Sequence, residues 1–199
     1  MNSSTPRDST PRILVAGIGN IFLGDDAFGV EVVRRLIESP IPQGVRVVDF
    51  GIRGLDLTYC LLDKFEMVIL IDAVPRDEPP GTLFVIEPDL SALQNAGDSE
   101  AMIDAHGMHP EKVLRAAASM GAEFGKVLLV GCQPMPFDAE HDMQMDLSDP
   151  VRAAVGEAAN IVQSLISKFL QDERSPVGVG ASSPEHHSDA AKDSGYVSP

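Results

Sequence analysis

The sequence predicts an α/β fold: a three-layer α/β/α sandwich with a mostly parallel central sheet. Three observations point there. Short apolar runs rich in Val, Ile and Leu recur along the chain, as strands buried on both faces require. Between several of them lie stretches with apolar residues three and four apart, as helices covering such a sheet require. In order, the segments read β-α-β-α-β-β-α-β-α, the alternation that gives parallel strands joined by crossover helices.

The first run, residues 12–18 (Arg-Ile-Leu-Val-Ala-Gly-Ile), reads as a buried strand. A Gly-Asn-rich loop follows. A helical stripe then runs over 28–37 through Phe28, Val32 and Leu36, with Val33 and Ile37 beside them. Residues 45–50 read as the second strand, 55–62 as the second helix, and 67–73 as a third strand ending in Asp72. Past the Pro79-Pro80-Gly81 turn, 82–86 is a fourth strand. No helix fits between it and the third, so these two are expected to pair antiparallel. Residues 88–105 are polar and irregular, a long surface loop. Pro110 suits the first turn of a helix reaching about Met120, and 125–132 is the last core strand. Ser148 or Asp149 can cap a final helix, with Pro150 at its first position and its end near Leu170. Residues 1–11 and 171–199 are polar and poor in large apolar side chains. The domain is therefore expected at 12–170, with disordered extensions on both sides.

A chain of 199 residues, 44% hydrophobic and 23% charged, fits one globular domain with tails. Its net charge of −15 argues against nucleic acid and anionic membranes as partners, since both demand neutralising Lys and Arg. No run approaches the length of a spanning helix, and the N-terminus lacks the apolar core of a secretory signal. Cys60 and Cys132 form no CxxC pair and no disulfide framework, which agrees with a reducing compartment. The expected location is the cytoplasm.

Gly17-Ile18-Gly19-Asn20 directly after a strand suggests a nucleotide loop, but a dinucleotide fingerprint needs glycine where Phe22 stands. The phosphate-loop spacing from Gly19 to Gly24 is met, yet Asp25 and Asp26 follow where that motif places Lys and Ser or Thr. Two carboxylates repel a phosphate. At the start of a helix the same pair makes sense as a cap and a complement to the dipole.

Ligands of open α/β sheets bind beyond the carboxyl ends of the strands. Asp26 follows the first strand, Asp49 ends the second, and Asp72 ends the third. Asp72 sits in an otherwise fully apolar segment, where an ionised, unpaired carboxylate costs several kcal/mol. It therefore calls for a cation, donors or a raised pKa. Asp49 is expected to order the turn at 51–54 or to pair with Arg53. His106 lies just before the helix opened by Pro110, with His109 three residues on. Asp26, Asp72 and His106 together make an open O,O,N site suited to Ni²⁺, Zn²⁺ or Fe²⁺, without the soft thiolates of a permanent structural site. One rival is a cysteine hydrolase using Cys132 with His106. Another is a non-proteolytic metal- or nucleotide-binding module. His186 and His187, in the expected tail, are read as solvated linker.

Several blocks then coincide with a known family. Ile13-Leu-Val-Ala-Gly-Ile-Gly-Asn-Ile-Phe-Leu-Gly-Asp-Asp-Ala-Phe-Gly-Val resembles the opening of the hydrogenase maturation proteases. Asp49-Phe-Gly-Ile-Arg-Gly-Leu-Asp-Leu, Ile69-Leu-Ile-Asp-Ala-Val, Ala105-His-Gly-Met and Leu128-Leu-Val-Gly-Cys-Gln-Pro are similar to its later blocks, in order, over about 12 to 170. The resemblance implies an endopeptidase that removes a C-terminal extension from the large-subunit precursor of a [NiFe] hydrogenase after nickel insertion. It implies Asp26, Asp72 and His106 as the metal-contacting residues. Asp26 and Asp72 are then the expected catalytic carboxylates, and the residues themselves offer Asp25, Asp49 and His109 as supporting candidates. The implied metal is Ni²⁺ carried by the substrate. The implied partner is the precursor, met transiently by a monomer.

Overall fold

Successive side chains of a strand point to opposite faces, and in the central strands of this protein both faces are apolar. The computed structural model describes residues 12–91, 109–136 and 146–172. In β1 (Ile13–Ile18), Ile13 and Val15 face one way while Leu14, Ala16 and Ile18 face the other. β3 (Met67–Ala73) separates Met67, Ile69 and Ile71 from Val68 and Leu70 in the same manner. Such a sheet must be covered twice. α1 (Phe28–Ile37) and α4 (Asp149–Asp172) cover the first face through Phe28, Val32, Leu36, Val151, Ala158 and Val162. α2 (Gly54–Cys60) and α3 (Pro110–Ser119) cover the second through Leu57, Val113, Leu114 and Ala117. The three-layer α/β/α sandwich is therefore present.

With β2 (Val45–Gly51), β4 (Leu83–Ile86) and β5 (Lys126–Cys132), the strands are ordered β2-β1-β3-β5-β4. The first four in that order are parallel. β4 is antiparallel, but its partner is β5, with Leu83 opposite Cys132 and Ile86 opposite Leu129. The expected pairing of β4 with β3 is thus corrected. The reason is burial: β5 is apolar on both faces and takes the inner position, whereas β4 leaves Val85 exposed and suits an edge. The segment from β3 to β4 crosses the end of β5. Val74 N–H donates to Cys132 O at 2.9 Å, Gly81 N–H to Gln133 O at 2.8 Å, and Gln133 N–H to Thr82 O at 2.9 Å.

α1 and α3 begin at Phe28 and Pro110 as expected, and the differences lie in capping and in the start of α4. Asp25 and Asp26 do not cap α1. They lie inside a 3₁₀ turn (Gly24–Ala27) that runs into α1, whose first residue is preceded by Ala27. α3 begins at Pro110 as expected, with His109 ahead of it in extended conformation and its side chain making no capping hydrogen bond. α4 begins at Asp149, which puts Pro150 at the second position, and it continues through Gln171 and Asp172. The tail expected from 171 is thus corrected at residues 171–172; its remainder, 173–199, together with 1–11, the loop beyond residue 91, His106, His186 and His187, lies outside the described residues. Among the described residues, no helix is long and apolar enough to cross a membrane.

Candidate active site

From β1 the chain goes by α1 to β2 on one side, while β3 lies on β1's other side. That reversal makes a crevice at the carboxyl ends of β1 and β3, the usual place for a ligand in such a sheet. Two glycines bring α1 down onto it. A Cβ on Gly29 would stand 2.2 Å from Ile71 O and 2.3 Å from Ile18 O, so only glycine lets the first turn of α1 rest on both strand ends. Gly19 has φ +135°, and a Cβ there would meet Asp26 O at 1.7 Å. The 3₁₀ turn is thereby pressed against the loop after β1, and Asp26 is set beside the end of β3.

Asp72 continues the row of Val68 and Leu70 on β3 and is 5% exposed. Burial pushes its carboxyl well above the ordinary carboxylate range; the charge of Asp26 raises it further, and the Ala73 N–H opposes the shift. Burial also raises Asp26. There the Asn20 N–H, 2.7 Å from Oδ2, and the positive charge available to His109 work in the other direction. Two neighbouring carboxyls thus share a poorly solvated crevice, where burial raises both and the charge of Asp26 further hinders the ionisation of Asp72. A cation placed between them relieves both the desolvation and the repulsion. Among the described residues, no cluster of three or more His, Cys, Asp and Glu side chains is arranged to hold a metal ion. The third expected ligand, His106, is not among them.

The other candidates separate into distinct roles. Asp25 faces away from the carboxyl pair: its oxygens accept from Met135 N–H at 2.8 Å, Ser148 N–H at 2.7 Å and Ser148 Oγ–H at 2.9 Å. It fastens the 3₁₀ turn to the chain entering α4. Asp49 pairs in register with Gly17 and continues the α1-facing row of Val45 and Val47, unlike Asp72. Arg53 orders the turn after β2 by donating to the backbone carbonyls of Asp49 and Phe50, and its ion pair is with Asp56 at 3.7 Å. His109 is exposed and acts on Asp26 electrostatically. Cys132 is wholly buried, and burial together with Asp25 pushes its thiol up to about 12. No thiolate is available there at neutral pH, which removes the cysteine-hydrolase reading.

Two residues of structural consequence escaped sequence reasoning. Gln133 is buried, with Oε1 accepting from Arg76 N–H at 2.5 Å and Nε2 donating to Pro134 O at 3.0 Å. Its carboxamide pins the segment that leaves Asp72. An amide closing an apolar strand was the available signal, because a buried amide needs partners. Asn20 joins Asp26, through its N–H, to Phe22, whose N–H donates to Asn20 Oδ1 at 3.0 Å.

Residues 30–165 match the family profile described as hydrogenase maturation protease. The hydrogenase expression/formation protein HupM of Azotobacter chroococcum is 34% identical over 161 residues, 80% of this chain and 74% of that protein. Among solved structures, the hydrogenase 2 maturation peptidase from a Thaumarchaeota archaeon is 33% identical with a TM-score of 0.59, covering 78% of this chain and 98% of that one. The hydrogenase maturating endopeptidase HybD from E. coli is 25% identical with a TM-score of 0.62, covering 79% and 93%.

Proposed function

This chain belongs to the hydrogenase maturation protease family, a family of endopeptidases, and we propose that it removes the C-terminal extension of a nickel-loaded [NiFe] hydrogenase large-subunit precursor. The observation that carries the reading is the pair Asp26 and Asp72. Two adjacent, poorly solvated carboxyls at the switch point of the sheet are a receptor for a cation that arrives from outside.

In this reading the nickel is part of the substrate. Asp26, Asp72 and His106 contact it, with His109 adding positive potential beside Asp26 until the metal comes. The incoming charge lets both carboxyls ionise, and a carboxylate so released takes the proton of the water that attacks the scissile peptide. Asp25 and Gln133 touch none of the reacting atoms. They hold the turn before Asp26 and the segment after Asp72 in place. The encounter with the precursor is transient, the enzyme works as a monomer, and the reaction belongs in the cytoplasm, where the acidic chain has no need of a membrane.

The test is cleavage of purified nickel-loaded precursor by the wild-type chain and by Asp26→Asn, Asp72→Asn and His106→Ala. Each variant should fold and lose processing. Full processing by folded Asp72→Asn would remove the pair from the mechanism.

A further inference from the structure

The loop that carries Asn20 toward Asp26 turns three large apolar side chains into solvent. Ile21, Phe22 and Leu23 are consecutive, and Phe22 is 59% exposed. The loop is not loose: Asn20 Oδ1 takes the Phe22 N–H at 3.0 Å, and Asn20 O takes the Leu23 N–H at 3.0 Å. Gly19 N–H donates to Gly51 O at 3.1 Å, which lays the loop after β2 alongside it. That second loop exposes Ile52 and, at the start of α2, Leu55. Met135, whose N–H is held by Asp25, is exposed on the far side of the 3₁₀ turn. In a chain of net charge −15, these two adjoining loops beside Asp26, with the Arg53–Asp56 ion pair as charged neighbours on the second, thus expose large apolar side chains. Holding them out of the core forgoes the stabilisation that their burial would bring, and clustered exposed apolar groups of this kind mark contact surfaces.

We propose that Ile21, Phe22, Leu23, Ile52 and Leu55 form an apolar docking rim for the polypeptide that flanks the scissile bond of the substrate. The inference rests on the proposed function and adds to it: the carboxyl pair reads the cation, and the rim holds apolar residues of the chain that brings it. The occupant follows from position. An endopeptidase must bind polypeptide at the mouth of its site, and this rim is tied to Asp26 through one residue, Asn20. Because the rim binds the substrate and takes no part in proton transfer, it should act on KM and leave kcat alone.

The experiment is steady-state cleavage of the nickel-loaded precursor by the full chain. The variants are Phe22→Ser/Leu23→Ser on one loop and Ile52→Ser on the other, with Ile37→Ser, exposed at the end of α1, as control. Circular dichroism and sedimentation establish fold and association state. Each rim variant should raise KM, by about tenfold or more for the double variant, with kcat unchanged and the control like wild type. Two loops are used so that a fault confined to one does not imitate the effect. Unchanged KM in both, while the wild type cleaves normally, overturns the rim and leaves the function standing. So does a fall in kcat at unchanged KM. A wild-type dimer that the rim variants dissolve without a change in KM shows that a second copy covers the surface, and also overturns it. A wild-type chain that does not cleave the precursor overturns the functional reading and the rim with it.

Discussion

At the residue scale, Asp72 is the position whose chemistry and stability are most clearly opposed. A buried carboxyl whose folded pKa is raised keeps its proton longer in the folded chain than in the unfolded one. Its contribution is favourable below the unfolded value, about 4, and is lost as pH rises through the folded pKa. At neutral pH, where the unfolded carboxyl is ionised, the raised folded pKa therefore costs stability. Asp72→Asn should melt at a higher temperature than wild type at pH 7, with the gap closing below about pH 4, and should still lose processing. Thermal melts across pH check the first part. The pair also makes a statement about protons. Ni²⁺ entering between two carboxyls that resist ionisation must displace what they hold. Nickel binding should thus release protons into weak buffer and tighten as pH rises toward neutrality, whereas a pH-independent affinity would speak against the carboxyls as ligands. Cys132 supplies a negative control: iodoacetamide at pH 8 should leave processing intact, since a thiol near 12 is almost wholly protonated there.

At the scale of elements, the close approach of α1 to the sheet decides whether the pair exists. Gly29→Ala places a methyl inside contact distance of two backbone carbonyls, neither of which can yield like a side-chain end. It should cost about 2–4 kcal/mol in urea unfolding and reduce processing even where the fold survives. Asp25→Ala leaves three donors without their acceptor and should cost about 1–3 kcal/mol. The strands and helices were legible in the sequence because their apolar patterns are nearly continuous, with β3 and β5 the plainest cases. The partner of β4 was not. Pairing of strands close in sequence is a reasonable expectation, but the inner position went to the more apolar strand, a competition that local patterns do not contain. The expected capping of α1 failed for a related reason: the Asp25 carboxyl is taken up across the fold by Met135 and Ser148, so it does not cap its own helix. Asp26 and Asp72 could be picked out from their places at strand ends. That Asp25 serves as a tether between the 3₁₀ turn and the chain entering α4 could not, since its partners Met135 and Ser148 lie far along the sequence.

For the whole molecule, the sheet, the glycine contacts and the apolar rim converge on one end of the sandwich. The fold leaves there a pair of acids whose carboxyls burial holds above the ordinary range, and in the proposed function the substrate's cation comes to them. If that pair reads the substrate's metal, cleavage must depend on it. The direct measurement is processing of two samples of one purified large-subunit precursor with its extension intact, one loaded with nickel and one free of it, by the wild-type chain. The expected result is removal of the extension from the loaded form alone. Cleavage of both forms at the same rate would contradict the assignment of Asp26 and Asp72 as the reader of nickel.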